Sequence, residues 1–109
     1  MAVSVTDVRE VIDESLDLLK KRNDEADFQV LESNLESVRR VLIRNEKKIW
    51  LRTKKGRGVL AEVSEAAERL RGALASSGDL DTVEAALRDV ETLAQAIEKE
   101  SRKRSMVVT

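Results

Sequence analysis

From Phe28 to Ile49 apolar side chains return every seventh residue: Phe28, Leu35, Leu42 and Ile49 hold one position of a heptad, and Leu31 and Val38 hold the position three residues further on. Seven residues are close to two turns of α-helix, so these side chains share one narrow stripe that has to be covered. Unbroken over residues 24–54, such a helix would be about 46 Å long at about 1.5 Å per residue. One short neighbour cannot cover a rod of that length. The repeat therefore predicts a long second helix that packs against two elements of its own chain or against another chain. The seams are narrow stripes with alanine at several positions, a pattern suited to paired helices. Self-association as a homodimer, or pairing with another helical protein, is accordingly the favoured expectation, with Phe28, Leu31, Leu35, Val38, Leu42, Asn45, Ile49 and Trp50 as the interface.

Asn45 and Trp50 stand out within that stripe. A seam asparagine can pair with its counterpart and fix register, or it can mark where the seam opens to water. Trp50 follows the seam residue Ile49 and, with Val41, Ile43 and Leu51, broadens the apolar face. Core or self-interface is the expected role for it, because a single aromatic without neighbours makes a poor platform for stacking bases.

The flanking segments carry the same rhythm. Val8, Val11, Ile12, Leu16 and Leu19 mark a first helix over about residues 6–22, with Thr6 as its N-cap. Asn23 and Asp24 read as a stop and restart, Asp24 with Asp27 capping the second helix. Gly56 and Gly58 read as an interruption, after which Leu60, Val63, Ala67, Leu70 and Leu74 define a third helix from about Val59. Ser76, Ser77 and Gly78 are turn residues. Asp81 with Glu84 has the spacing of a capping box, and Leu80, Val83, Leu87, Val90, Ala94 and Ile97 form the stripe of a fourth helix fraying after Glu100.

The chain has no proline and only one Phe and one Trp as aromatics, which disfavours sheet. The fold class read from these patterns is all-α: an antiparallel, coiled-coil-like bundle of about four helices with a long second helix. Residues 1–100 form one helical domain and 101–109 a mobile basic tail. The expected packing lays the first helix along the first half of the second and the third along its second half, with the fourth folded back on the third.

Chemistry is constrained by what the sequence lacks. Without His or Cys there is no imidazole base, no thiolate and no zinc site of the ordinary kind. The carboxylates are interleaved with Lys and Arg on helix faces. No enzymatic activity, cofactor, metal or small-molecule substrate is expected. The opening residues lack a secretory signal, no window suffices for a membrane span, and the cysteine-free composition fits a cytoplasmic location.

Charge is unevenly placed. Residues 39–57 hold nine basic side chains (Arg39, Arg40, Arg44, Lys47, Lys48, Arg52, Lys54, Lys55 and Arg57) against the single acid Glu46, a local charge of +8 in a chain whose net charge is −1. The remainder therefore carries −9. Such a helix can neutralise phosphates, with the Gly56–Arg57–Gly58 turn adding free backbone N–H groups, so a nucleic-acid-binding role is the alternative function. The opposing explanation is that these cations favour the helix dipole and pair with the chain's own acidic helices.

Overall fold

The computed structural model describes residues 3–22 and 25–107, which contain four α-helices and one short 3₁₀ turn. Helix α1 spans Val5–Lys20, α2 Ala26–Asn45, α3 Lys54–Ala75 and α4 Leu80–Val107, with the 3₁₀ turn at Ile49–Arg52. The expected all-α bundle is what the chain forms. The expected cap of α2 by Asp24 lies outside the described residues.

Local hydrogen bonding sets the boundaries. The N-cap of α1 is Ser4, not Thr6: its hydroxyl accepts from the Asp7 N–H at 3.2 Å while the Asp7 carboxylate accepts from the Ser4 N–H at 3.0 Å. These bonds hold the Asp7 carboxyl below its ordinary pKa. Helix α4 is likewise capped by Asp79 rather than by an Asp81–Glu84 box, since the Asp79 carboxylate accepts from the Thr82 N–H at 2.9 Å, and hydrogen bonds from the Thr82 side chain and then its backbone lower the carboxyl's pKa. Before it, Ser77 adopts a left-handed φ of 57° and the Gly78 N–H reaches back to the Ala73 carbonyl at 2.8 Å, closing the end of α3.

The long second helix is the main correction. It stops at Asn45, where the Asn45 amide donates to the Val41 carbonyl one turn back, at 2.8 Å, and to the Glu98 carboxylate of α4, at 2.7 Å. The next N–H groups tighten into shorter bonds, Glu46 to Ile43 and Lys48 to Asn45, and Lys48 is extended. The break re-aims two large apolar side chains. Trp50 and Leu51, which a straight helix would carry past the end of its neighbours, turn inward and are buried, and the Trp50 indole N–H donates to the Ser101 hydroxyl at 2.8 Å.

Gly56 and Gly58 do not interrupt a helix but lie in the first turns of α3, whose N-cap is Thr53. A Cβ on Gly56 would collide with the Trp50 carbonyl oxygen, so this position is glycine because the 3₁₀ turn presses directly on the α3 backbone. At the far end, α4 does not fray at Glu100 but continues to Val107, and the residues expected as a mobile tail are helical as far as that. Ser101 continues the Val90, Ala94, Ile97 stripe and is buried.

The four helices close on themselves. Helix α1 packs against α2 and α3, and α4 packs against the same two, so α2 and α3 stand on a diagonal. Ion pairs show the directions: Arg9 meets Glu46 from the opposite end of α2, whereas Glu14 and Arg71 meet at matching levels of parallel α1 and α3. This differs from the expected side-by-side order, because the 3₁₀ turn carries the chain across the bundle end rather than around its edge. The core is almost wholly aliphatic, with Ile12, Leu19, Leu35, Leu70 and Ile97 fully buried. Among the described residues no buried side-chain polar atom lacks a hydrogen-bond partner, and no helix is long and apolar enough to cross a membrane.

Candidate polyanion interface at the basic end

The expected interface stripe is spent inside the chain. Phe28, Leu31, Leu35, Val38 and Leu42 are buried in the bundle core, and the Phe28 ring is covered further by the Arg22 guanidinium at 3.9 Å. Asn45 is 2% exposed and held by Glu98, so it pairs with a carboxylate of its own chain and not with a second asparagine. Trp50 is buried beneath Arg104, whose guanidinium lies 5.3 Å from the ring centre. Only Ile49 faces water, at 80% exposure. With Ile49 off the seam and Trp50 in it, the heptad register is lost after Asn45.

The nine basic residues divide into two groups. Arg39 and Arg40 sit on the flank of α2, where Arg39 bonds Asp13 at 2.7 Å and Arg40 donates to Ser37 at 3.0 Å. They line a shallow hollow of about 300 Å³ that also holds Asp13, Asp17 and Glu36, so carboxylates offset the field there. The other group gathers at the end of the bundle where α2 stops and α3 starts. Arg44 pairs with Glu98 at 3.5 Å and Lys55 with Glu100 at 3.3 Å. The Lys55 bond, with help from Arg104, keeps the Glu100 carboxyl below the ordinary carboxylate range. Lys47, Lys48, Arg52, Lys54 and Arg57 are exposed, and among the described residues none of them makes an ion pair.

Three further cations, assigned from the sequence to a tail, join this end. Arg102, Lys103 and Arg104 project from the last turns of α4 beside the 3₁₀ turn. Arg102 shares Glu98 and Arg104 shares Glu100, while Lys103 has no acidic partner among the described residues. The apolar-to-Ser101 spacing of three and four was the signal in the sequence that helix α4 reaches this far.

Two clefts open at this end on either side of residues 47–52. One, of about 610 Å³, has Lys47, Lys48, Arg52 and Arg57 at its rim over Leu51 and Leu60. The other, of about 460 Å³, runs from Lys47, Lys48 and Ile49 to Thr53, Ser101 and Arg104. Glu46, the one acid of the basic stretch, lies in the first cleft but is engaged by Arg9 at 3.4 Å. The backbone donors expected free at residues 56–58 are partly used: the Gly56 N–H goes to the Thr53 hydroxyl and the Arg57 N–H to the Thr53 carbonyl. What this end offers is side-chain charge over short apolar walls. Among the described residues no group of three or more acidic side chains is placed to hold a metal ion.

No protein-family model matches this chain, and no match appears among curated proteins or solved structures.

Proposed function

We propose that this chain is a non-catalytic helical binding module whose basic end grips the phosphate backbone of nucleic acid. The observation that carries the reading is the break at Asn45, which folds a linear run of cations into a cluster at one bundle end and leaves Lys47, Lys48, Arg52, Lys54 and Arg57 without acidic partners among the described residues. Nucleic-acid phosphates hold a condensed layer of counterions, and exposed cations that no carboxylate engages can displace those counterions with a gain in entropy. The same residues on an unbroken helix would wrap around its surface and face in several directions.

Support for the heptad seam as the working surface falls away with the same break. A second chain would be needed to cover a long bare rod, whereas α2 is a 20-residue helix whose stripe α1 and α4 already cover. The chain is expected to sediment as a monomer.

A titration with labelled DNA and RNA at low and moderate salt tests the proposal. Log affinity should fall against log salt with a slope of about −3 to −5, as several displaced counterions imply. Absence of binding at low salt overturns it.

A further inference from the structure

We infer that the strand held at the basic end is single-stranded rather than duplex, an inference that rests on the phosphate-binding reading above. Residues 47–52 form a ridge, because Lys47 and Lys48 border both clefts while Leu51 and Arg52 face one and Ile49 and Thr53 the other. A rigid duplex can meet this ridge with its phosphates or with a groove, but its paired bases stay stacked and cannot turn their faces into the two clefts. A flexible single strand can bend over the crest and lay phosphates along the rim cations Lys48, Arg52 and Arg57 while its bases turn into the hollows.

The apolar surface points the same way. Ile49 is 80% exposed at the crest, within a ring of lysine and arginine. Against a duplex it would meet phosphates or base edges, while the apolar base faces stay stacked out of its reach. Unstacked bases have apolar faces that must otherwise stand in water, and Ile49 on the crest with Leu51 and Leu60 on a cleft floor gives them a place to bury that area. Trp50, the residue that stacking would ordinarily use, lines the second cleft but is only 6% exposed, with Arg104 over its ring and its N–H bonded to Ser101, so base contacts here are mainly aliphatic and carry little base preference. The two shorter dimensions of the molecule, 28 and 18 Å, bound the area of the bundle end and limit the footprint to a few nucleotides.

Fluorescence anisotropy on the full chain separates the alternatives, using labelled oligothymidine, a DNA hairpin with the same number of phosphates, and vesicles of mixed phosphatidylserine and phosphatidylcholine at one low salt concentration. Oligothymidine should bind at least about tenfold more tightly than the hairpin. Ile49→Ser should weaken oligothymidine binding roughly three- to fivefold and leave hairpin binding unchanged. Its unaltered melting curve verifies that the exposed position leaves the fold intact. Equal or tighter hairpin binding overturns the single-strand inference while preserving phosphate binding. Failure of both nucleic acids to bind removes both readings, and vesicle binding in their absence assigns this end to anionic lipid instead.

Discussion

Residues 26–45 and residues 46–57 share one heptad-patterned stretch of sequence that turns basic at Arg39, yet the structure puts them to opposite uses. In the first, every seam residue from Phe28 to Leu42 is buried against the chain's own helices, and Arg39 is bonded to Asp13. In the second, the seam residue Ile49 is exposed, Trp50 and Leu51 take its place inside, and most of the cations stand free. The difference shows that periodicity identifies which side chains want cover, whereas the packing of the whole chain decides whether they receive it from within. Once α1 and α4 have covered one half of the stripe, the other half is available to be bent into an end cap.

The sharpest way to break this contrast is to truncate one seam residue from each half. Leu35→Ala should lower unfolding free energy by about 2–5 kcal/mol in chemical denaturation, because Leu35 is fully buried, while Ile49→Ala should stay within about 0.5 kcal/mol of the parent. Similar losses at both positions would mean that the two halves are equivalent. Next in size is Gly56→Ala. Its added methyl meets the Trp50 carbonyl and the Leu51 backbone, neither of which is a flexible side-chain end, so a loss of about 1–3 kcal/mol is expected in the same assay. A neutral or stabilising result would show that the 3₁₀ turn does not press on α3.

Ser101→Ala should cost about 1–2 kcal/mol by leaving the buried Trp50 N–H without its acceptor, and red-shifted tryptophan fluorescence would report the opening of the end cap. The smallest expected effect is with pH. Asp7, Asp79 and Glu100 have folded-state pKa values lowered by hydrogen bonds from Ser4, Thr82 and Lys55, so the stability they contribute is present above the ordinary carboxylate range and is lost as pH falls through and below it. With no histidine in the chain, thermal melts should coincide between about pH 6 and about pH 8 and decline only below about pH 4.5.

Much of the fold was legible because amphipathic helices announce themselves. The stripes from Val8 to Leu19, Leu60 to Leu74 and Leu80 to Ile97 were read from spacing alone and are buried or half-buried. The break at Asn45 was not legible, since no glycine or proline marks it. Its causes are tertiary: a carboxylate on α4 for the Asn45 amide and a hydroxyl on Ser101 for the Trp50 indole, more than fifty residues away in sequence. Ser4 and Asp79 were readable as caps in principle, as each precedes by three residues the backbone N–H it receives, but nearby residues of the same kind competed for the assignment. The basic stretch was visible as composition. Its division between a neutralised flank and a free end was not, because that depends on which helices carry Asp13, Glu98 and Glu100 alongside it.

The division itself is the most direct thing to measure. Two charge-reversal variants of the full chain, one carrying Lys47→Glu, Lys48→Glu and Arg52→Glu and the other Arg39→Glu and Arg40→Glu, can be titrated with labelled oligothymidine at low salt. The end-cluster variant should lose about a hundredfold in affinity and the flank variant less than about threefold, since the first removes three exposed cations with no acidic partner among the described residues, whereas Arg39 is bonded to Asp13 and Arg40 shares its hollow with Asp17 and Glu36. Equal losses from both variants, or an unchanged affinity in the first, would contradict the assignment of the basic end as the binding surface.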